Sequence, residues 1–115
     1  MSQSRIDVFT KMAEAQPDNE MVWYGLANEF TKLGRWADAA RALRQVIRVK
    51  PDFTAAYQML GTALANGGEH SEARRVWQEG VAVAERTGAW KAKQHLGGLL
   101  AGASDDSGAG VFCDE

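Results

Sequence analysis

The stretch Trp23–Phe30, WYGLANEF, is matched 34 residues later by Tyr57–Leu64, YQMLGTAL. Trp23, Leu26, Ala27 and Phe30 fall at i, i+3, i+4 and i+7, the spacing of one face of an α-helix. Tyr57, Leu60, Gly61 and Leu64 repeat that face. The same offset pairs Gly34 with Gly68, Ala39 with Ala73, Leu43 with Trp77, and Pro17-Asp18 with Pro51-Asp52. One apolar coincidence is cheap, but a run of matches in a single register is an internal repeat, and its period decides the architecture.

Each unit reads as a helix, a turn and a return helix. Gly34 supplies a left-handed cap that ends the first helix. Residues 35–49 form the return helix, with Ala39, Leu43, Val46 and Ile47 inward. Pro51 blocks its continuation, and Asp52 is placed to cap the next helix. Ala39 and Ala73 are small where two helices must approach closely, since close-packed cores tolerate little overfilling. The second pair runs over 53–66 and 70–86, broken by Asn66-Gly67-Gly68.

The pattern resembles the tetratricopeptide repeat family, whose W-x2-L-G-x2-Y…A-x3-F…P signature has this period. The resemblance covers two repeats, 20–53 and 54–87, with Glu85 at the second proline position. It implies an all-α fold, a solenoid of about six helices in antiparallel pairs with a concave groove. Repeat units bury their cores against neighbours, so the ends need cover. Residues 4–15 form an amphipathic N-terminal capping helix with Ile6, Phe9 and Met12 inward. Phe9 falls where Leu43 falls in the first repeat. Residues 88–101 form a C-terminal capping helix carrying Ala92, Leu96, Leu99 and Leu100. There the register fails, because Lys91 and Gln94 stand where large apolar residues belong. Residues 102–115 read as a flexible acidic tail.

Composition narrows the function. The chain is 45% hydrophobic and 24% charged, ordinary for a soluble globular protein. Asp105, Asp106, Asp114 and Glu115 leave 11 acidic against 13 basic residues in the rest, too mild a balance for nucleic-acid binding. Cys113 is the only cysteine, so no internal disulfide forms. No signal peptide or membrane-spanning run is visible, and a cytoplasmic location is expected.

No catalytic, cofactor or metal motif is visible. His70, His95 and Cys113 are too scattered for a metal site, and Cys113 has no evident base partner. His70 takes the slot of Trp36 at the turn between helices. Gly67-Gly68 and Gly97-Gly98 lack phosphate-loop spacing and read as helix punctuation.

Two surfaces remain as candidates. Once the inward face of the first repeat helix is set aside, a second face carries Met21, Tyr24, Asn28, Thr31 and Lys32. Its counterparts include Gln58, Thr62 and Asn66. The resemblance assigns this face to the concave groove, where an extended peptide or a partner helix lies. Some family members clamp a chaperone's C-terminal carboxylate with a Lys four residues before an Asn. Here Tyr24 precedes Asn28 at that spacing, leaving only Lys32 and Lys93 as cations. The other surface is a basic stripe, Arg41, Arg44 and Arg48, on the return helix, which the resemblance places on the convex side. The leading expectation is a protein-interaction module whose groove binds another protein or peptide. The alternatives are homodimeric self-association through the apolar flanks and nucleic-acid contact by the stripe. The terminal VFCDE is itself a segment that a groove could accept.

Overall fold

The computed structural model describes residues 2–112, with side chains over residues 5–102. Six helices follow in order: α1 (Ser2–Ala15), α2 (Glu20–Lys32), α3 (Trp36–Val49), α4 (Thr54–Asn66), α5 (His70–Thr87) and α6 (Trp90–Phe112). Among the described residues there is no strand. Each helix packs on the next, giving a solenoid with principal extents of 52 × 32 × 18 Å. A continuous core runs through it, from Ile6 and Leu26 by way of Leu43, Val46, Tyr57, Leu60 and Trp77 to Leu96.

The 34-residue repeat is visible in individual hydrogen bonds. The Trp23 indole N–H donates to the Pro17 carbonyl at 2.8 Å. The Tyr57 hydroxyl donates to the Pro51 carbonyl at 2.8 Å. Two different aromatic donors thus tie each repeat helix to the linker before it. The turns match as well. Gly34 (φ 72°) and Gly68 (φ 90°) take left-handed conformations that side chains resist. The residue after each glycine closes a six-residue bond, Arg35 N–H to Phe30 at 2.9 Å and Glu69 N–H to Leu64 at 2.7 Å. This is a Schellman-type ending, which satisfies carbonyls the helix leaves open.

The two repeats fill the same space differently. Ala27 and Leu43 are buried in the first. Their counterparts are Gly61 and Trp77, and a Cβ on Gly61 would run into the Trp77 indole nitrogen. The larger return-helix residue therefore requires the smaller partner. Ala39 and Ala73 are both fully buried, as close helix approach demands.

Four expectations need correction. Asp52 does not cap α4: Phe53 holds the cap position and makes no side-chain cap bond. In α2 that role falls to Asn19, which accepts from the Met21 N–H at 3.1 Å. Met12 is 37% exposed, because Ala13 takes the inward position seven residues after Ile6. Residues 102–112 are not separate from the last helix, since α6 runs on to Phe112 with no proline to stop it. Residues 113–115, including Cys113, lie outside the described residues, as do the side chains of the whole VFCDE segment.

The fourth correction concerns the register, which resumes in α6 after a shift of two residues. Lys93-x-x-Leu96-Gly97-x-x-Leu100 is offset by 36 from Tyr57-x-x-Leu60-Gly61-x-x-Leu64. The cause is local: α5 has 18 residues against 14 in α3, while its link to the next helix is two residues shorter. Leu96 is fully buried as a result, and a Cβ on Gly80 would come within 3.0 Å of it.

Candidate functional site

Because helices alternate in direction, α2, α4 and α6 share one side of the stack. A cavity of about 200 Å³ opens there. Thr31 comes from α2, Gln58, Met59, Thr62, Ala63 and Asn66 from α4, His95 from α6, and Trp36 from the first turn of α3. Four residues of the expected groove, Thr31, Gln58, Thr62 and Asn66, thus meet around one space. The two threonine hydroxyls are held the same way. Thr31 donates to the Ala27 carbonyl at 2.8 Å, and Thr62 to the Gln58 carbonyl at 3.0 Å. Each keeps oxygen lone pairs to offer a ligand.

The other expected groove residues are not among those lining this cavity. Tyr24 packs on Phe53, with ring centroids 5.1 Å apart, and so steadies the entry to α4. Lys32 approaches Glu29 at 3.4 Å. Asn28 is half-buried, and Met21 is exposed at the start of α2. Sequence reasoning missed Trp36, Met59, Ala63 and His95 as lining residues. The 34-residue register puts His95 opposite Gly61, a core position that gives no hint of a ligand. In the shifted register it is the counterpart of Met59, which lines the cavity beside it.

The arginine stripe lies on the opposite side and is already engaged. Arg41 pairs with Asp38. Arg44 reaches Glu72 of α5 at 3.8 Å. Arg48 meets Asp18 at 3.5 Å and donates to the Pro17 carbonyl at 3.0 Å. A cleft of about 450 Å³ beside the stripe takes Arg41 and Arg44 together with Glu69 and Glu72, so its walls are of mixed sign. On α5, Arg75 pairs with Glu72 and with Glu79, four residues on, at 3.1 Å. These carboxylates push the Arg75 guanidinium further up, the Glu72 hydrogen bond most of all.

One buried charge was not anticipated. Glu29 is only 6% exposed, and its Oε1 has no hydrogen-bond partner. Its Oε2 lies 3.9 Å from Arg5 and 3.4 Å from Lys32. Its counterpart in the second repeat is Ala63. Among the described residues no cluster of three or more His, Cys, Asp or Glu is arranged to hold a metal, and no helix is long and apolar enough to cross a membrane.

The tetratricopeptide repeat profile matches residues 24–89, more than half of the chain. The chain belongs to the tetratricopeptide repeat family. A TPR repeat-containing protein of Pseudomonas aeruginosa is 28% identical over 91 residues, covering 79% of this chain and 87% of that one. Among solved structures, the TPR2B domain of yeast Sti1 in its complex with a pHsp70 superposes with a TM-score of 0.82. The identity is 18%, and the match covers 91% of this chain and 84% of that one. The first TPR of Spaghetti, bound to the Hsp90 peptide SRMEEVD, gives 0.67 at 21% identity, covering 87% and 80%. At these identities the structural likeness concerns the fold. In this tetratricopeptide repeat chain, the cavity residues Gln58 and Thr62 of the second repeat stand where the first repeat has Tyr24 and Asn28.

Proposed function

We propose that this chain is a non-catalytic, cytoplasmic protein-interaction module that holds an extended segment of another protein in the cavity shared by α2, α4 and α6. The observation that carries this reading is the convergence of Thr31, Gln58, Thr62 and Asn66 on that cavity. Hydrogen-bonding groups spaced over an apolar floor fix a ligand's orientation while burial supplies affinity. Two proteins of similar fold carry ligands, one in a complex with pHsp70 and one bound to an Hsp90 peptide. A photo-crosslinking residue in place of Thr62 should capture a partner, and Gln58→Ala with Asn66→Ala should abolish the capture. Equal capture from Gln78, on the exposed outer side of α5, would overturn the assignment.

A second reading, self-association, is favoured by α1. Val8 is 57% and Met12 37% exposed, whereas their counterparts Ala42 and Val46 are buried at 3% and 0%. Sedimentation across concentration tests it: a mass that stays monomeric up to millimolar protein would remove it.

A further inference from the structure

The cavity is lined without any carboxylate, lysine or arginine: its polar groups are hydroxyls, carboxamides, the Trp36 indole and the His95 imidazole. The two cations that could serve a carboxylate are committed elsewhere. Lys32 approaches Glu29, and Lys93 approaches Glu85 at 3.0 Å while lying 5.9 Å from the Trp90 ring. A carboxylate entering here would lose water without gaining a lysine or arginine counter-ion, an unfavourable exchange. The hydroxyl geometry points the same way. Both threonine protons are spent on helix carbonyls, so Thr31 and Thr62 face the cavity as acceptors and call for N–H donors.

Size sets the scale of the anchor. The cavity's 200 Å³ is below the ~300 Å³ at which small-molecule sites begin. It equals the share of roughly six or seven liquid waters, enough for one aliphatic side chain. Trp36, Met59 and Ala63 give that side chain an apolar floor.

We propose that the cavity takes an uncharged, internal stretch of extended polypeptide. One aliphatic side chain seats on Met59, Ala63 and Trp36, backbone N–H groups donate to the Thr31 and Thr62 oxygens, and an acidic chain terminus is not accepted. This rests on the interaction-module reading and specifies its ligand.

The test is an amide chemical-shift titration of the full chain with two probes. One is a capped pool, acetyl-X3-Leu-X3-amide, where X is Ser, Thr, Asn, Gln or Gly. The other is the free acid SRMEEVD, taken from the Spaghetti complex. The capped pool should shift Thr31, Gln58, Thr62, Asn66 and His95, with affinity changing less than about twofold between 50 and 500 mM salt, because no charge pair is there to screen. Thr62→Val should weaken it about fivefold by removing an acceptor at constant shape. SRMEEVD should leave those amides unmoved. If SRMEEVD shifts them and the capped pool does not, the ligand class is wrong and the groove reading stands. If both probes shift them equally, exclusion of an acidic terminus is refuted. If neither moves them, both readings fall. An unchanged affinity for Thr62→Val would remove the proposed hydrogen bond.

Discussion

Gly61 and Trp77 form a pair whose coupling can be measured. In an unpacked helix, Gly61→Ala would stabilise by about 1 kcal/mol through propensity alone. Here the added Cβ would collide with three atoms of the Trp77 indole, the farthest of them at 2.5 Å. The ring cannot simply move away. It is buried, and its N–H bonds the Gln58 carbonyl at 3.3 Å. Overfilling of this severity costs about 2–3 kcal/mol, so the net single-variant effect is a loss of about 1–2 kcal/mol. Trp77→Leu leaves a void beside Gly61 and should cost about 2–3 kcal/mol, somewhat less than truncation to Ala. If the sites were independent, the double variant would lose roughly 3–5 kcal/mol. The structure says otherwise, because Gly61→Ala combined with Trp77→Leu recreates the buried Ala27 and Leu43 pair of the first repeat. The clash disappears, the added methyl fills part of the void, and the propensity gain is recovered. The double variant should therefore lose only about 1 kcal/mol, a favourable coupling of about 2–4 kcal/mol. Urea unfolding followed by circular dichroism, with a shared m-value, reads all four corners of the cycle. Additivity within about 0.5 kcal/mol would refute the claim that the two repeats are alternative fillings of one socket.

Three further outcomes follow from the same contacts. Burial, with the Glu79 carboxylate adding to it, pushes the Tyr57 phenol above its usual 10.0, so the unfolded chain releases that proton first. Its contribution to stability is fully present below pH 10 and lost as pH rises beyond it. Tyr57→Phe should thus be less stable by about 1 kcal/mol at pH 8, from the lost bond to Pro51, yet lose less melting temperature than wild type between pH 9 and 11. Arg48→Ala removes two ties to the linker before α2 and should cost about 0.5–1 kcal/mol, with faster amide hydrogen exchange at Asn19 and little change in α5. Glu29→Met replaces a buried carboxylate whose Oε1 has no partner with an apolar side chain of similar size. It should raise stability by about 1–2 kcal/mol, read as a higher melting temperature, and a lower one would show that the Arg5 and Lys32 contacts outweigh the desolvation.

What could be read from the sequence was whatever packing repeats. Trp23 and Tyr57, Leu26 and Leu60, Ala39 and Ala73 occupy equivalent places because stacked units present the same inward geometry, and spacing reports that directly. The return of the register in α6 was hidden by a simple change. The helix before it gained four residues, close to one 3.6-residue turn, so its end still faces the core while the linear count slips. A search at fixed offset fails there, although Leu96 and Gly97 continue the pattern. The outward face is different in kind. No neighbouring repeat constrains Thr31, Gln58, Thr62 or Asn66, so periodicity gives their direction and says nothing of their company. Tyr24 shows the consequence. Its ring packs on Phe53, a linker residue whose approach depends on the superhelix and not on spacing. Glu29 shows the converse, because its place matches Ala63, an inward position, and only the packing of α1 against α2 reveals a carboxylate enclosed there. In a stack of this kind the core is therefore written in the offset between copies. The outward positions where the copies disagree become interpretable only once the fold has set them side by side.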